Sequence, residues 1–275
     1  MVPSDGGGCL RQEYFGQDEG PFMEKAKILE TAEGRRIAYH RLEGRGPGVV
    51  FLGGFKSDMG GTKAVHLEAW ARREGRAFLR FDYSGHGESS GAFTDGAIGD
   101  WAQDAAAAIE ELTTGPQILV GSSMGGWIAL LICKRLPARV VGLVTIAAAP
   151  DFTEDSMWAG FDASQRAALE EEGQVALPSE YGEPYIITKR LIEDGRGQLV
   201  LRDPLPLPFP VRMLQGTADA DVDMAVALRL LEHAEGGDIR LSLVKGADHR
   251  FSEPDNLAQI EAAIGEVLTR IGAMQ

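Results

Sequence analysis

Six short apolar runs constrain the fold of this chain more than any other feature: residues 49–52 (VVFL), 78–81 (FLRF), 118–120 (ILV), 140–144 (VVGLV), 211–214 (VRML) and 239–243 (IRLSL). Stretches of helical periodicity separate them. Short apolar strands alternating with helices specify an α/β fold, with a mostly parallel sheet covered on both faces and joined by right-handed crossovers. Ahead of this series, Ala26-Lys27-Ile28-Leu29 and Arg36-Ile37-Ala38-Tyr39-His40 flank the turn dipeptide Glu33-Gly34, which predicts an antiparallel opening. In an open sheet of this kind ligands bind beyond the carboxyl ends of the strands, so chemistry is sought in the loops that leave them.

The rhythm breaks once, between residues 151 and 202, where Phe152, Met157, Trp158, Phe161, Tyr181 and Tyr185 stand among many acids. That composition predicts an inserted helical lid, whose aromatic side chains either face a substrate or pack on the main domain. Met157, Trp158 and Phe161 are its candidate substrate contacts. The first 22 residues carry one basic side chain, Arg11, and no apolar segment, so they are read as a flexible arm and not as a signal or transit peptide. Residues 23–275 then form one domain.

Charge and cysteine usage remove other classes. A net charge of −14 argues against a nucleic-acid partner, which requires a concentrated basic surface. No apolar run approaches the ~20 residues of a membrane-spanning helix. The two cysteines, Cys9 and Cys133, offer neither a disulfide framework nor a metal-ligand spacing, so no metal is expected, and a reducing cytoplasm is the expected compartment.

The run at 118–120 leads into GSSMGGW, and Trp127, Ile128, Leu130 and Leu131 then recur at helical spacing. Gly121-Ser122-Ser123-Met124-Gly125 fits G-x-S-x-G in one register, which makes Ser123 the candidate nucleophile and Ser122 a spacer. Glycines flank such a serine because strand and helix must approach closely to hold a strained turn, although Gly-Ser turns also join strands to helices without chemistry. A serine nucleophile needs a base, and the base needs an acid to hold its tautomer. Among five histidines, His40 lies on an early strand while His66 and His233 fall in helical patterns, leaving His86 and His249. His249 follows the last apolar run and is the choice. Asp219 follows the run at 211–214, with Asp221 and Asp223 near enough to serve instead. The order Ser123, Asp219, His249 is that of a serine hydrolase with the nucleophile first. The backbone N–H of Met124 is one candidate oxyanion donor, and that of Phe55, in the loop Gly53-Gly54-Phe55, is the second, unless those glycines only make a turn.

Gly60-Gly61-Thr62-Lys63 inverts the Lys-Ser/Thr order of a phosphate-binding loop, and no G-x-G-x-x-G follows a strand, so no nucleotide cofactor is expected. With its residues placed, the chain resembles the α/β-hydrolase superfamily from about Ala26 to the C-terminal helix. Gly61-Thr62-Lys63-Ala64, the stretch from Arg80 to Gly85 with Gly87, the stretch from Gly115 to Ser123, Pro178-Ser179 and Asp248-His249-Arg250 resemble its mitochondrial palmitoyl-protein thioesterase branch, also described as acyl-glucuronide esterases. The resemblance implies a cofactor-free serine hydrolase of thioesters or esters with Ser123, Asp219 and His249 in the matching positions. The substrate is then a small molecule or an acylated thiol. A short-acyl carboxylesterase and a ligand-binding hydrolase fold without chemistry are the alternatives. Many relatives have His-Gly where this chain has Gly53-Gly54 and Gln215-Gly216, a change that leaves the backbone donors in place. An anionic leaving group would call for a nearby cation, for which Lys56, Lys189 and Arg190 are the candidates.

Overall fold

The computed structural model describes residues 25–177 and 184–273. The expected N-terminal arm, with Cys9, and Pro178, Ser179 and Tyr181 of the insert lie outside the described residues. The chain opens with β1 (Lys27–Glu30), β2 (Arg36–Leu42) and β3 (Arg45–Leu52), then alternates: α1 (Thr62–Arg73), β4 (Arg76–Phe81), α2 (Ile98–Leu112), β5 (Gln117–Ser122), α3 (Met124–Arg135) and β6 (Val140–Ile146). The segment after β6 holds a π-helical turn (Thr153–Trp158), α4 (Ala163–Glu172), β7 (Gln174–Leu177), β8 (Tyr185–Thr188), α5 (Lys189–Arg196) and the two-residue β9 (Leu205–Pro206). The alternation then resumes with β10 (Val211–Gly216), α6 (Met224–His233), the two-residue β11 (Ala234–Glu235), β12 (Ile239–Val244) and α7 (Pro254–Ala273).

Eight strands form one sheet in the order β1-β2-β4-β3-β5-β6-β10-β12. The β1/β2 and β2/β4 pairs are antiparallel, and every neighbouring pair from β4 to β12 is parallel. The apolar runs sit at its centre because those strands are covered twice: every residue of β5 and of β10 is buried. Successive side chains point to opposite faces of a strand, so one core takes Val50, Leu52 and Leu119 and the other takes Val49, Phe51, Ile118 and Val120. The first core lies under α2 and α3, the second under α1 and α7. Residues 124–133 of α3 are all buried, as befits a helix covered by the sheet on one side and by α2 and the insert on the other. From β3 the chain passes to β4 on one side and later to β5 on the other, which opens a crevice between the carboxyl ends of β3 and β5.

The insert departs from an all-helical expectation. β7 and β8 pair antiparallel, with Val175 opposite Ile187, both buried, while Gln174 and Ala176 are exposed. Four-residue strands carry too short a period-2 signal to register against the flanking helical pattern. Asp151, at the start of the insert, accepts hydrogen bonds from the Val200 and Leu201 N–H groups (2.8 and 3.0 Å) and pairs with Arg202 (3.1 Å), so one buried carboxylate ties both ends of the segment together.

Candidate active site

Ser123 stands between the last residue of β5 and the first of α3 with φ 55° and ψ −120°, a conformation that side-chain-bearing residues rarely adopt. Three backbone bonds hold it there: its N–H donates to the Ile146 carbonyl (2.9 Å), and its carbonyl accepts from Gly126 (2.9 Å) and Ala149 (3.1 Å). The glycines are required by contact. A Cβ on Gly121 would come within 2.3 Å of the Gly125 carbonyl oxygen, and one on Gly125 within 2.1 Å of that of Leu52, at the end of β3. The elbow is therefore wedged against the β3 loop, and a Cβ on Gly54 would lie 3.3 Å from that of Ser123.

His249 comes from the turn after β12, and its Nε2 lies 3.1 Å from Ser123 Oγ. Its Nδ1 is 2.9 Å from Asp219 Oδ2, in the loop after β10. The Asp219 side chain is 1% exposed and makes four bonds: with His249, from the Gln215 side-chain amide (3.0 Å), and from the N–H groups of Asp221 (2.9 Å) and Val222 (2.8 Å). Burial by itself would raise this carboxyl, but the His249 bond and the two backbone donors outweigh it and hold Asp219 below the usual carboxylate value. It is a fixed anion behind the imidazole. Asp221 donates its backbone N–H to Asp219, and Asp223 caps α6 through the Ala225 N–H, so the two rival acids serve the loop and the helix. Asp219, Asp221 and His249 approach one another closely enough to ligate a cation. Such an ion would compete for ring nitrogens already directed at Ser123 and Asp219.

The family model described as serine aminopeptidase, S33, matches residues 47–178. The mitochondrial palmitoyl-protein thioesterase ABHD10 of Rattus norvegicus is 33% identical over 249 residues, 90% of this chain and 84% of that protein. Among solved structures, a hydrolase from Agrobacterium vitis S4 aligns with a TM-score of 0.85 and 41% identity, covering 88% of this chain and 98% of the other. Alpha/beta hydrolase domain-containing protein 10 from mouse aligns at 0.84 and 32%, covering 90% and 100%. The chain belongs to the α/β-hydrolase family.

A cavity of about 810 Å³ opens above Ser123 and His249, within the range of small-molecule sites. Gly54 and Phe55 of the loop after β3, Phe152, Met157 and Tyr185 of the insert, and Val226 of α6 line it. Of the candidate substrate contacts Met157 lines it, as does Lys56 among the candidate cations. Trp158 and Phe161 are not among its lining residues: Phe161 is buried in the first core, and Trp158 faces the guanidinium groups of Arg166 and Arg196 at 5.1 and 4.6 Å. Their spacing along the insert carried no information about which face turns inward. Lys189 pairs with Glu170, and Arg190 pairs with Asp100 (2.7 Å), so neither supplies a cation to the cavity, whereas Lys63 and Arg250 line it alongside Lys56. Gln215, read in the sequence only as a departure from the His-Gly of relatives, steadies Asp219. A polar residue inside an otherwise apolar strand end was the available signal. Sequence reasoning placed Phe152 and Tyr185 among the aromatics of the insert without singling them out. Among the described residues, no helix is long and apolar enough to cross a membrane.

Proposed function

We propose that this hydrolase cleaves carboxylic thioesters or esters through an acyl-enzyme on Ser123. The observation that carries the reading is the continuous run of hydrogen bonds from Ser123 Oγ through the His249 ring to the buried Asp219 carboxylate. His249 Nε2 takes the hydroxyl proton as Oγ attacks the carbonyl, then delivers it to the leaving thiol or alcohol. The same nitrogen next takes a proton from water as the water oxygen attacks the acyl-serine ester, and returns it to Ser123 Oγ as the acid leaves. Asp219 keeps the Nδ1 proton in place and stabilises the imidazolium. The backbone N–H groups of Met124, at the start of α3, and of Phe55, in the loop packed on the elbow, supply the oxyanion donors, each worth on the order of 10²–10³ in turnover.

The acyl side of the substrate is assigned to the apolar surfaces of Phe152, Met157, Tyr185 and Val226, in keeping with the palmitoyl group in the name of the rat relative. Hydrolysis rates across an acyl series from acetyl to palmitoyl, as esters and as thioesters, for wild type beside Ser123→Ala, test the reading. A preference for long acyl thioesters that vanishes in the variant, by several orders of magnitude with the fold intact, is expected. Turnover that survives the substitution rejects Ser123. A Ser123-dependent preference for short oxygen esters reassigns the enzyme to short-acyl carboxylesterases.

A further inference from the structure

His86, the other histidine compatible with a base by sequence, sits in the core at 4% exposure, and its contacts lead to the loop after β3 and not to Ser123. Its ring is wedged edge-on against Tyr83, Phe93 and Trp101, with centroids 5.6, 5.3 and 5.1 Å away. Nδ1 faces the Ser84 carbonyl at 3.2 Å, and since a carbonyl only accepts, Nδ1 carries the proton. The lone pair of Nε2 then faces Lys56, whose backbone N–H donates to it at 3.3 Å. Burial lowers the His86 pKa and favours this neutral form.

Lys56 needs such a partner. Its φ is 55°, a left-handed conformation that a residue with a Cβ holds only when its surroundings impose it. On the other side of Phe55, the Tyr83 hydroxyl donates to the Gly53 carbonyl at 3.4 Å. The scaffold under both anchors is itself fixed: Trp101 Nε1 donates to the Ser84 carbonyl (3.0 Å), and the buried Asp104 takes the Ser84 N–H (2.9 Å), the Ser84 hydroxyl (2.7 Å) and Arg35 Nε (2.6 Å).

We propose that His86, together with Tyr83, is a positioning residue that holds residues 53–56 from both ends and so aims the Phe55 N–H at the oxyanion formed on Ser123. The inference rests on the acyl-enzyme reading above. A misaimed donor weakens the transition state and leaves ground-state binding nearly unchanged, so the loss falls on kcat and not on KM.

The test is steady-state kinetics of His86→Phe, which keeps the aromatic packing and removes the acceptor, beside His86→Gln, whose amide oxygen restores an acceptor at the Nε2 position. His86→Phe is expected to lower kcat by about 10–100-fold with KM within about threefold of wild type, and to weaken a trifluoromethyl ketone, a mimic of the tetrahedral oxyanion, by a similar factor. His86→Gln is expected to recover most of both. A His86→Phe enzyme with kcat within about twofold of wild type overturns the proposal, and so does a His86→Gln enzyme no better than His86→Phe. Should His86→Phe fail to fold, Tyr83→Phe decides, with an expected loss in kcat of about threefold or more at constant KM. An unchanged kcat there overturns the proposal. Ser123→Ala measured in parallel separates the two readings: turnover surviving that change sinks the acyl-enzyme, whereas Ser123-dependent turnover indifferent to His86 and Tyr83 sinks only this inference.

Discussion

Ser123 is legible in sequence because the strain it bears must be accommodated locally. A serine at φ 55° between a strand and a helix needs the missing Cβ atoms of Gly121 and Gly125, and both lie within two residues of it. His249 and Asp219 are legible at one remove, from their places after two late apolar runs. Gln215, His86 and Lys63 act through contacts made only in the folded chain, and no local pattern reveals those contacts. Lys63 shows the difference most directly. It belongs to an apparent phosphate-loop string, yet its ammonium reaches the carbonyl of Arg250, next to His249. Burial lowers its pKa from 10.5 to about 8, with Asp248 opposing the shift and Arg250 adding to it. Between those two values the unfolded chain binds more protons than the folded one, so stability rises with pH across the window. The penalty present below about pH 8 amounts to roughly 2–3 kcal/mol, with solvent screening at a half-buried site discounted. Denaturant unfolding between pH 7 and pH 10, compared with Lys63→Met, checks this. The wild type is expected to gain stability relative to the variant as pH rises, and a constant difference between them would refute it.

The strands and helices of the sheet follow from periodicity, but the insert does not. Its aromatic side chains divide between the cavity (Phe152, Met157, Tyr185), the core (Phe161) and a cation-covered surface (Trp158), a division that no spacing encodes. What makes the segment one element is Asp151, which has φ 59° and a carboxyl that burial pushes upward against the Val200 and Leu201 N–H groups and Arg202. Replacing it by Ala leaves the buried Val200 and Leu201 N–H groups without their acceptor, at a cost of about 1–3 kcal/mol for each, while Arg202 keeps its pair with Asp155. Since the insert supplies a wall of the cavity, Asp151→Ala is expected to raise KM more than it lowers kcat and to speed hydrogen exchange in the insert while the sheet stays protected. Equal exchange rates in both proteins would show that the tie is dispensable.

At the scale of the whole molecule, two cores share one sheet. Leu119 and Val120, adjacent in β5, belong to opposite cores, so a truncation on either face weakens the same strand. Leu119→Ala is expected to cost about 2–5 kcal/mol and Val120→Ala less. Each should shift a single transition, followed in one set of variants by Trp127 in the first core and in another by Trp70 in the second. Separate midpoints for the two tryptophans would mean that the cores unfold independently. By itself the sequence determined the α/β alternation, the antiparallel opening, the tight turn at Ser123 and the chain order of Ser123, Asp219 and His249, because periodicity and tight turns are properties of neighbouring residues. Only the tertiary structure decided which aromatic side chains of the insert meet the cavity, that Gln215 steadies Asp219, and that His86 reaches the Lys56 N–H of the loop after β3 and not Ser123. Those outcomes depend on which strand lies beside which and on where distant loops converge at the sheet edge, and no run of neighbouring residues specifies that convergence.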